Sequence, residues 1–374
     1  MTTATCHRRS DPPPTPTERG RALALPVLAA PSTNANPAGI TGPKDISAVQ
    51  MLRLSVTDVC NLRCVYCMPA EGVEWLPKSH VLTYEELATV VRAAASLGVT
   101  HFKLTGGEPT ARRDLPTLVQ MLRKIDGVRD LSLTTNGILL APMLQPLRDA
   151  GLNRITISLD SLRPDRFSEI TRGGDFGRVW TSIEKALELG FERLKLNVVV
   201  MKGMNDDEVA DFAALTRKMP ITVRFIEFMP LGRSGLTDNP ENSMITEAQI
   251  RRHIESTHGP LAPLQRHTEL GVGPAKIWTL PHAAGRLGFI SAMSHPFCDT
   301  CNRLRLTPDG LLRSCLFDGG EVDLKPILRE QTLTPDGSIE SPHALLTRAM
   351  TTCVAMKPDT HSHHGNKAMN RIGG

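Results

Sequence analysis

The chain has 374 residues, enough for one large or two medium domains and for a core that needs no disulfide staples. A net charge of +4, from 43 Lys and Arg against 39 Asp and Glu, is too mild for a nucleic-acid coat, and 4% aromatics argues against a base-stacking platform. No uninterrupted apolar run approaches the roughly 18 residues that a membrane-spanning helix needs.

Residues 1–46 are rich in Pro, Thr, Ser and Ala, contain Pro12-Pro13-Pro14 and show no periodicity, which predicts a disordered leader. Arg8, Arg9, Arg19 and Arg21 precede an apolar stretch, but Asp11, Glu18 and Pro26 break the pattern of a secretion signal. A transit peptide, in a eukaryotic source, is the other reading of this segment.

From residue 51 onward, short strand patterns alternate with amphipathic helix patterns, which predicts repeated βα units and a parallel sheet. The first strand, 51–57, runs into Cys60, Cys64 and Cys67, a C-x3-C-x2-C triplet. A helix opens at Thr83 with Glu86 three residues on, a capping-box pattern, and stops at Gly98. Strand 101–105 leads directly into Gly106-Gly107-Glu108-Pro109, where two glycines would let the backbone approach a ligand. Strands 131–135 and 154–159 follow, then a helix carrying Ile183, Ala186 and Leu187 that stops at Gly190. Strand 193–200, a helix from Asn205 with Val209, Phe212 and Leu215 inward, and strand 222–228 complete six units.

Each strand has one apolar and one polar face. Leu52, Leu54 and Val56 oppose Arg53, Ser55 and Thr57; Phe102 and Leu104 oppose Lys103 and Thr105. Leu131 and Leu133 oppose Ser132 and Thr134; Ile155, Ile157 and Leu159 oppose Thr156, Ser158 and Asp160; Leu194, Leu196 and Val198 oppose Lys195 and Asn197. Helices must cover the apolar face, so the polar set is expected to line the inside of a curved sheet. A filled barrel would place branched apolar residues there. Three cations facing one cavity imply an anionic guest, and the absence of a G-x4-G-K-[ST] motif excludes a P-loop.

The eight cysteines are clustered. Beyond the first triplet, Cys298, Cys301 and Cys315 form C-x2-C-x13-C, while Cys6 and Cys353 stand apart. Clustered cysteines without a secretion signal read as metal ligands. Structural zinc and iron–sulfur sites usually take four protein ligands, so three leave a coordination position open. Cys353 as a fourth ligand would close that position. His361, His363 and His364 read as a polar tail segment rather than a metal tract.

The first triplet, with Tyr66 just before its last cysteine, resembles the signature of the radical S-adenosylmethionine (SAM) enzymes. The resemblance implies a partial (β/α)6 TIM-type barrel, an α/β fold, with SAM on the open iron of a [4Fe–4S] cluster and a 5′-deoxyadenosyl radical released by reduction. The second triplet, the run Cys301-Asn302-Arg303-Leu304-Arg305-Leu306-Thr307 and the terminal Gly373-Gly374 narrow the likeness to the GTP 3′,8-cyclases of molybdenum cofactor biosynthesis. That likeness covers roughly 51–374 and implies a C-terminal extension carrying a second [4Fe–4S] cluster. Cys60, Cys64 and Cys67 would hold one cluster, and Cys298, Cys301 and Cys315 the other. Tyr66, Gly107, Ser158 and Met229 would contact SAM. Arg53, Lys103, Thr134, Lys195, Arg303, Leu304 and Arg305 would contact GTP, with the Gly373-Gly374 tail entering the site. Lys103 stands where the family often has arginine, keeping the charge but losing the bidentate fork.

The expected organisation is a leader over 1–46, a radical SAM barrel over 47–230 and a cluster-binding region over 231–374. The implied reaction abstracts the 3′ hydrogen of GTP and joins C3′ to C8, giving 3′,8-cyclo-7,8-dihydro-GTP. The implied partners are an external electron donor and the cyclic pyranopterin monophosphate synthase that takes the product, with monomer and homodimer both open. No nucleic acid or membrane is expected, and the location is cytoplasmic, or mitochondrial if the leader is a transit peptide. Two alternatives remain at this stage: a radical SAM enzyme acting on another substrate beside an auxiliary cluster, and a zinc-stabilised interaction protein.

Overall fold

The computed structural model describes residues 43–191, 194–232, 236, 240–264, 272–317, 320–330, 340–362, 364–365 and 367–373. Most of the predicted leader, Cys6, His363 and Gly374 lie outside the described residues. Among those described, no helix is long and apolar enough to cross a membrane.

The six predicted strands form as β1 (Met51–Ser55), β2 (His101–Thr105), β3 (Asp130–Thr135), β4 (Arg154–Ser158), β5 (Lys195–Val200) and β6 (Thr222–Glu227). They pair in sequence order and in parallel. Intervening helices supply the crossovers that parallel pairing requires. The helix Tyr84–Ser96 starts with the capping box expected of Thr83 and Glu86. The segment from Asn205 begins as a 3-10 turn, Asp206–Glu208, before the helix Val209–Lys218.

The C-terminal region adds six further strands: β7 (Ala262–Pro263), β8 (Lys276–Thr279), β9 (Arg286–Ile290), β10 (Arg303–Leu306), β11 (Leu311–Arg313) and β12 (Glu321–Asp323). It is not simply appended behind the barrel. β10 pairs in parallel with β1, and β9 pairs in parallel with β6. The sheet order is β12-β11-β10-β1-β2-β3-β4-β5-β6-β9-β8-β7. The parallel core therefore runs from β10 to β9, with antiparallel pairs finishing both ends. This extension of the predicted six-stranded barrel was hidden because an Arg-Leu-Arg-Leu run has the same alternation as any surface strand.

The alternation divides the sheet as expected. Leu52, Leu54, Phe102, Leu104, Leu131, Leu133, Ile155, Ile157, Leu196 and Val198 are buried against the helices in one continuous core. Leu304, Leu306, Leu287 and Phe289 continue that face on the C-terminal strands. Phe225 and Phe289 stack across β6 and β9, ring centres 5.7 Å apart, tying the two regions together. Replacing Phe289 by alanine is expected to cost about 3–5 kcal/mol and to lower the midpoint of a single cooperative transition. Denaturant unfolding followed by circular dichroism checks this; separate melting of the C-terminal strands with the remainder intact would refute a shared core.

Candidate active site

One cavity opens at the C-terminal ends of the parallel strands, and all six clustered cysteines line it. The loop after β1 carries the first triplet. Its backbone is pinned where Val65 N–H donates to Ile170 O at 2.9 Å and where the Arg172 guanidinium donates to the Arg63 and Met68 carbonyls, both at 2.9 Å. Tyr66 Oη donates to Asp160 Oδ2 at 2.8 Å, fastening this loop to the end of β4.

The Gly106-Gly107 pair is explained by that same loop. Gly107 N–H donates to Thr57 O at 2.7 Å, and Glu108 N–H to Val59 O at 2.8 Å. A Cβ on Gly106 would come within 2.6 Å of Thr57 O, and one on Gly107 within 2.4 Å of Asp58 O. The glycines thus admit the backbone of the cysteine loop, a reason that sequence alone did not distinguish from close approach to a ligand. The buried Glu108 carboxylate then accepts from Thr110 Oγ1, Thr135 Oγ1 and Asn136 N–H at 2.5–2.6 Å, locking the ends of β2 and β3 together.

The second triplet is brought together by a hairpin. Cys298 lies in a 3-10 turn, Cys301 precedes β10 and Cys315 follows β11. In that antiparallel pair Arg305 stands opposite Arg313, so continuing the register sets Cys315 level with Arg303, two residues from Cys301. The thirteen-residue gap is one out-and-back strand pair. Arg313, fully buried, reaches Glu321 and the carbonyls of Cys315 and Phe317, holding the far arm.

The triplets differ in electrostatics. In the first, burial pushes Cys60 up to about 11 and Cys67 up to about 12. Cys64 is raised by burial and then by Cys67, Asp160 and Cys60. In the second, burial raises Cys298, whereas at Cys301 Arg303 and Lys357 outweigh burial and the thiol falls below its ordinary value. Three thiols crowded in this way ionise together only beside a cationic group, which is what an iron–sulfur cluster provides. Leu62 N–H lies 3.4 Å from Cys60 Sγ, in the manner of a peptide donor to a cluster ligand. Among the described residues, no three His, Cys, Asp or Glu side chains are gathered closely enough to hold one metal ion. The donor set fits a larger group with thiolate ligands.

Between the triplets lies the polar face. In register, Arg305, Arg53 and Lys103 stand side by side on β10, β1 and β2, and all three line the cavity. Arg224 on β6 joins them, donating to Thr156 Oγ1 at 3.3 Å. Burial lowers the Arg53 pKa, and Arg305, Arg303 and Arg224 lower it further. Burial brings Arg305 down to about 9. Arg224 was missed in the sequence, although Val223-Arg224-Phe225 carries the alternation that marked Lys103.

Of the other sequence-derived site residues, Tyr66, Gly107, Ser158, Met229, Thr134 and Arg303 line the cavity. Lys195 does not. It stands level with Thr156 and Thr222, and acts on Lys103 through its field. The Leu304 side chain points to the apolar face and is buried in the core. Cys353 is buried within the helix Pro342–Ala355 among the carbonyls of Leu312 and Gly320, and is not part of the cavity wall. Burial raises its thiol to about 12. His361 was read as part of a polar tail, yet it is buried in the cavity wall, stacked 4.1 Å from Phe317, with Nε2 2.8 Å from Ala292 O. The final turn brings Gly373 inward at φ +82°, where a Cβ would meet Thr105 Oγ1 at 2.6 Å, and Arg305 donates to its carbonyl at 2.9 Å.

Two outcomes follow. Gly107→Ala should drive the cysteine loop off β2, lowering SAM affinity at least tenfold in equilibrium binding while far-ultraviolet circular dichroism is retained. Asp160 is raised by burial to about 6, against Val199 N–H and Tyr66 Oη bonds that lower it. Its contribution to stability is therefore present below about pH 4 and lost as pH rises through about 6, a change of about 3 kcal/mol. Asp160→Asn should remove that slope from the pH dependence of unfolding free energy; an unchanged slope would place the titration elsewhere.

Residues 54–216 match the radical SAM superfamily, and residues 221–363 match the Molybdenum Cofactor Synthesis C family. The radical SAM match brings SAM and an iron–sulfur cluster as cofactors. The chain is 46% identical over 330 residues to a GTP 3′,8-cyclase of Pelotomaculum thermopropionicum, covering 87% of this chain and 98% of that one. It is 45% identical over 332 residues to one from Desulforamulus reducens, with the same coverage. Among solved structures, Streptococcus suis SuiB bound to S-adenosylmethionine superposes with a TM-score of 0.52 at 15% identity, over 74% of this chain and 63% of that chain, a likeness of fold. With the two families in this order and relatives matched over nearly their whole length, the chain belongs to the GTP 3′,8-cyclase family of radical SAM enzymes.

Proposed function

We propose that this enzyme converts GTP to 3′,8-cyclo-7,8-dihydro-GTP, the first step of molybdenum cofactor biosynthesis, with two [4Fe–4S] clusters. The observation that carries the reading is one cavity lined by both cysteine triplets and by Arg53, Lys103, Arg305 and Arg224. When bound on Cys60, Cys64 and Cys67, a cluster with SAM supplies the one-electron chemistry that removes the 3′ hydrogen of GTP. The chain's own work is to hold and shield. Tyr66, Gly107, Ser158 and Met229 bound the SAM side, and Met229 packs on the Leu231, Met293 and Phe317 cluster that also touches Cys315.

The cations take the triphosphate. Like charges about 4 Å apart at an effective dielectric near 20 repel by about 4 kcal/mol. A polyanion bound among them reverses that sign. Arg303 and Arg305 add planar forks suited to phosphate oxygens, and Thr134 adds a hydroxyl. Cys298, Cys301 and Cys315 would hold the second cluster, which would supply a binding point for the guanine. Gly373, with its carbonyl on Arg305, closes the wall near β1 and β2 and limits access of water. In this reading, residues 47–230 hold SAM and residues 231–374 hold the second cluster. The enzyme works in the cytoplasm with an external electron donor.

Anaerobic iron and sulfide analysis tests the two-cluster arrangement: Cys60→Ala and Cys298→Ala should each lose about half the iron and all cyclase activity. Lys103→Ala should raise KM for GTP about tenfold, the effect of one charge-assisted contact. Deoxyadenosine formation that ignores GTP would overturn the substrate assignment.

A further inference from the structure

A buried ammonium ion needs an anion beside it, and Lys357 is buried at 4% exposure. It follows the helix Pro342–Ala355, and its Nζ donates to the Cys301 carbonyl at 2.6 Å. Among the described residues no carboxylate pairs with it: Glu321 is taken by Arg313 and Lys367, and Asp359 by Lys44. The partners within reach of its field are the thiols of Cys301, Cys353 and Cys315, with Arg303 opposing. Cys353 is enclosed by main-chain carbonyls, which leaves Cys301 and Cys315 to carry the negative charge. The first triplet has a half-buried cation of its own, Arg63, whose guanidinium donates to the Cys60 carbonyl at 3.0 Å. There Cys64 faces Cys67, Asp160 and Cys60.

We propose that Lys357 is the fixed counter-charge of the second cysteine triplet, a positioning residue that anchors Cys301 and makes the centre held by Cys298, Cys301 and Cys315 easier to reduce. The proposal rests on reading that triplet as a cluster site. Net charge around a cluster sets its potential, and a reduced centre carries one more negative charge for the ammonium to stabilise. The ammonium lies beside Cys301 together with Arg303, whose field also lowers that thiol.

The test is an anaerobic redox titration followed by electron paramagnetic resonance on the full chain. A Cys60→Ala/Cys64→Ala/Cys67→Ala background leaves only the second centre to be read. Lys357→Met should retain iron and sulfide, while the reduced-to-oxidised ratio at a fixed potential falls at least tenfold, about 59 mV for a one-electron couple. Lys357→Arg, which keeps the charge, should stay within threefold of the parent. Loss of iron in Lys357→Met but not in Lys357→Arg would also support the counter-charge. Equal midpoints for parent and Lys357→Met would overturn it, and so would equal shifts, or equal iron loss, in the methionine and arginine variants. A parent that holds no iron in this background would overturn the two-cluster reading, and the counter-charge with it.

Discussion

Cations that the sheet forces to face one another are the constraint around which the molecule is organised. Parallel pairing puts Arg305, Arg53 and Lys103 at one level on three neighbouring strands, and Arg224 approaches from β6. Strand spacing of about 4.8 Å leaves them no room to separate fully. Such a row could not be the centre of a packed barrel. It holds because the remaining strands are riveted to helices by a continuous apolar face, and because the interior stays open to an anionic guest.

That interior is a joint product of both parts of the chain. β10 and β9 enter the sheet beside β1 and β6, so the cavity wall continues from the SAM side to the second triplet. The connections are specific: Tyr66 to Asp160, Arg313 to the Cys315 arm, and Arg305 to the carbonyl of Gly373. Each links a cysteine-bearing or tail segment to a strand, a strand end or a hairpin. The reactive groups are thus oriented by the sheet rather than by local turns.

Much of the site was legible because period-two alternation reports which side of a strand meets helices. It placed Arg53, Lys103, Thr134 and Ser158 inside, and each lines the cavity. The same pattern does not tell which residues of that face reach the cavity. Lys195 shares the face and is level in register with Thr134, yet it does not line the wall, because alternation reports the side of the strand and not where each side chain ends. His361 was illegible for a different reason. A histidine in a polar segment has no local signature, and only the return of the tail against Phe317 and Ala292 makes it a wall residue.

The amino-acid order alone determined the triplets, the βα rhythm and the capped starts of helices, because these follow from spacing and short-range hydrogen bonding. Even the cause of Gly106-Gly107 was half visible, as a need for close approach without its object. Tertiary structure decided which strands flank β1 and β6, that Cys353 is buried away from the cavity, and that Lys357 lies beside Cys301. Those outcomes depend on contacts between residues tens to hundreds of positions apart, whose energies appear only once the sheet has brought the segments into one register.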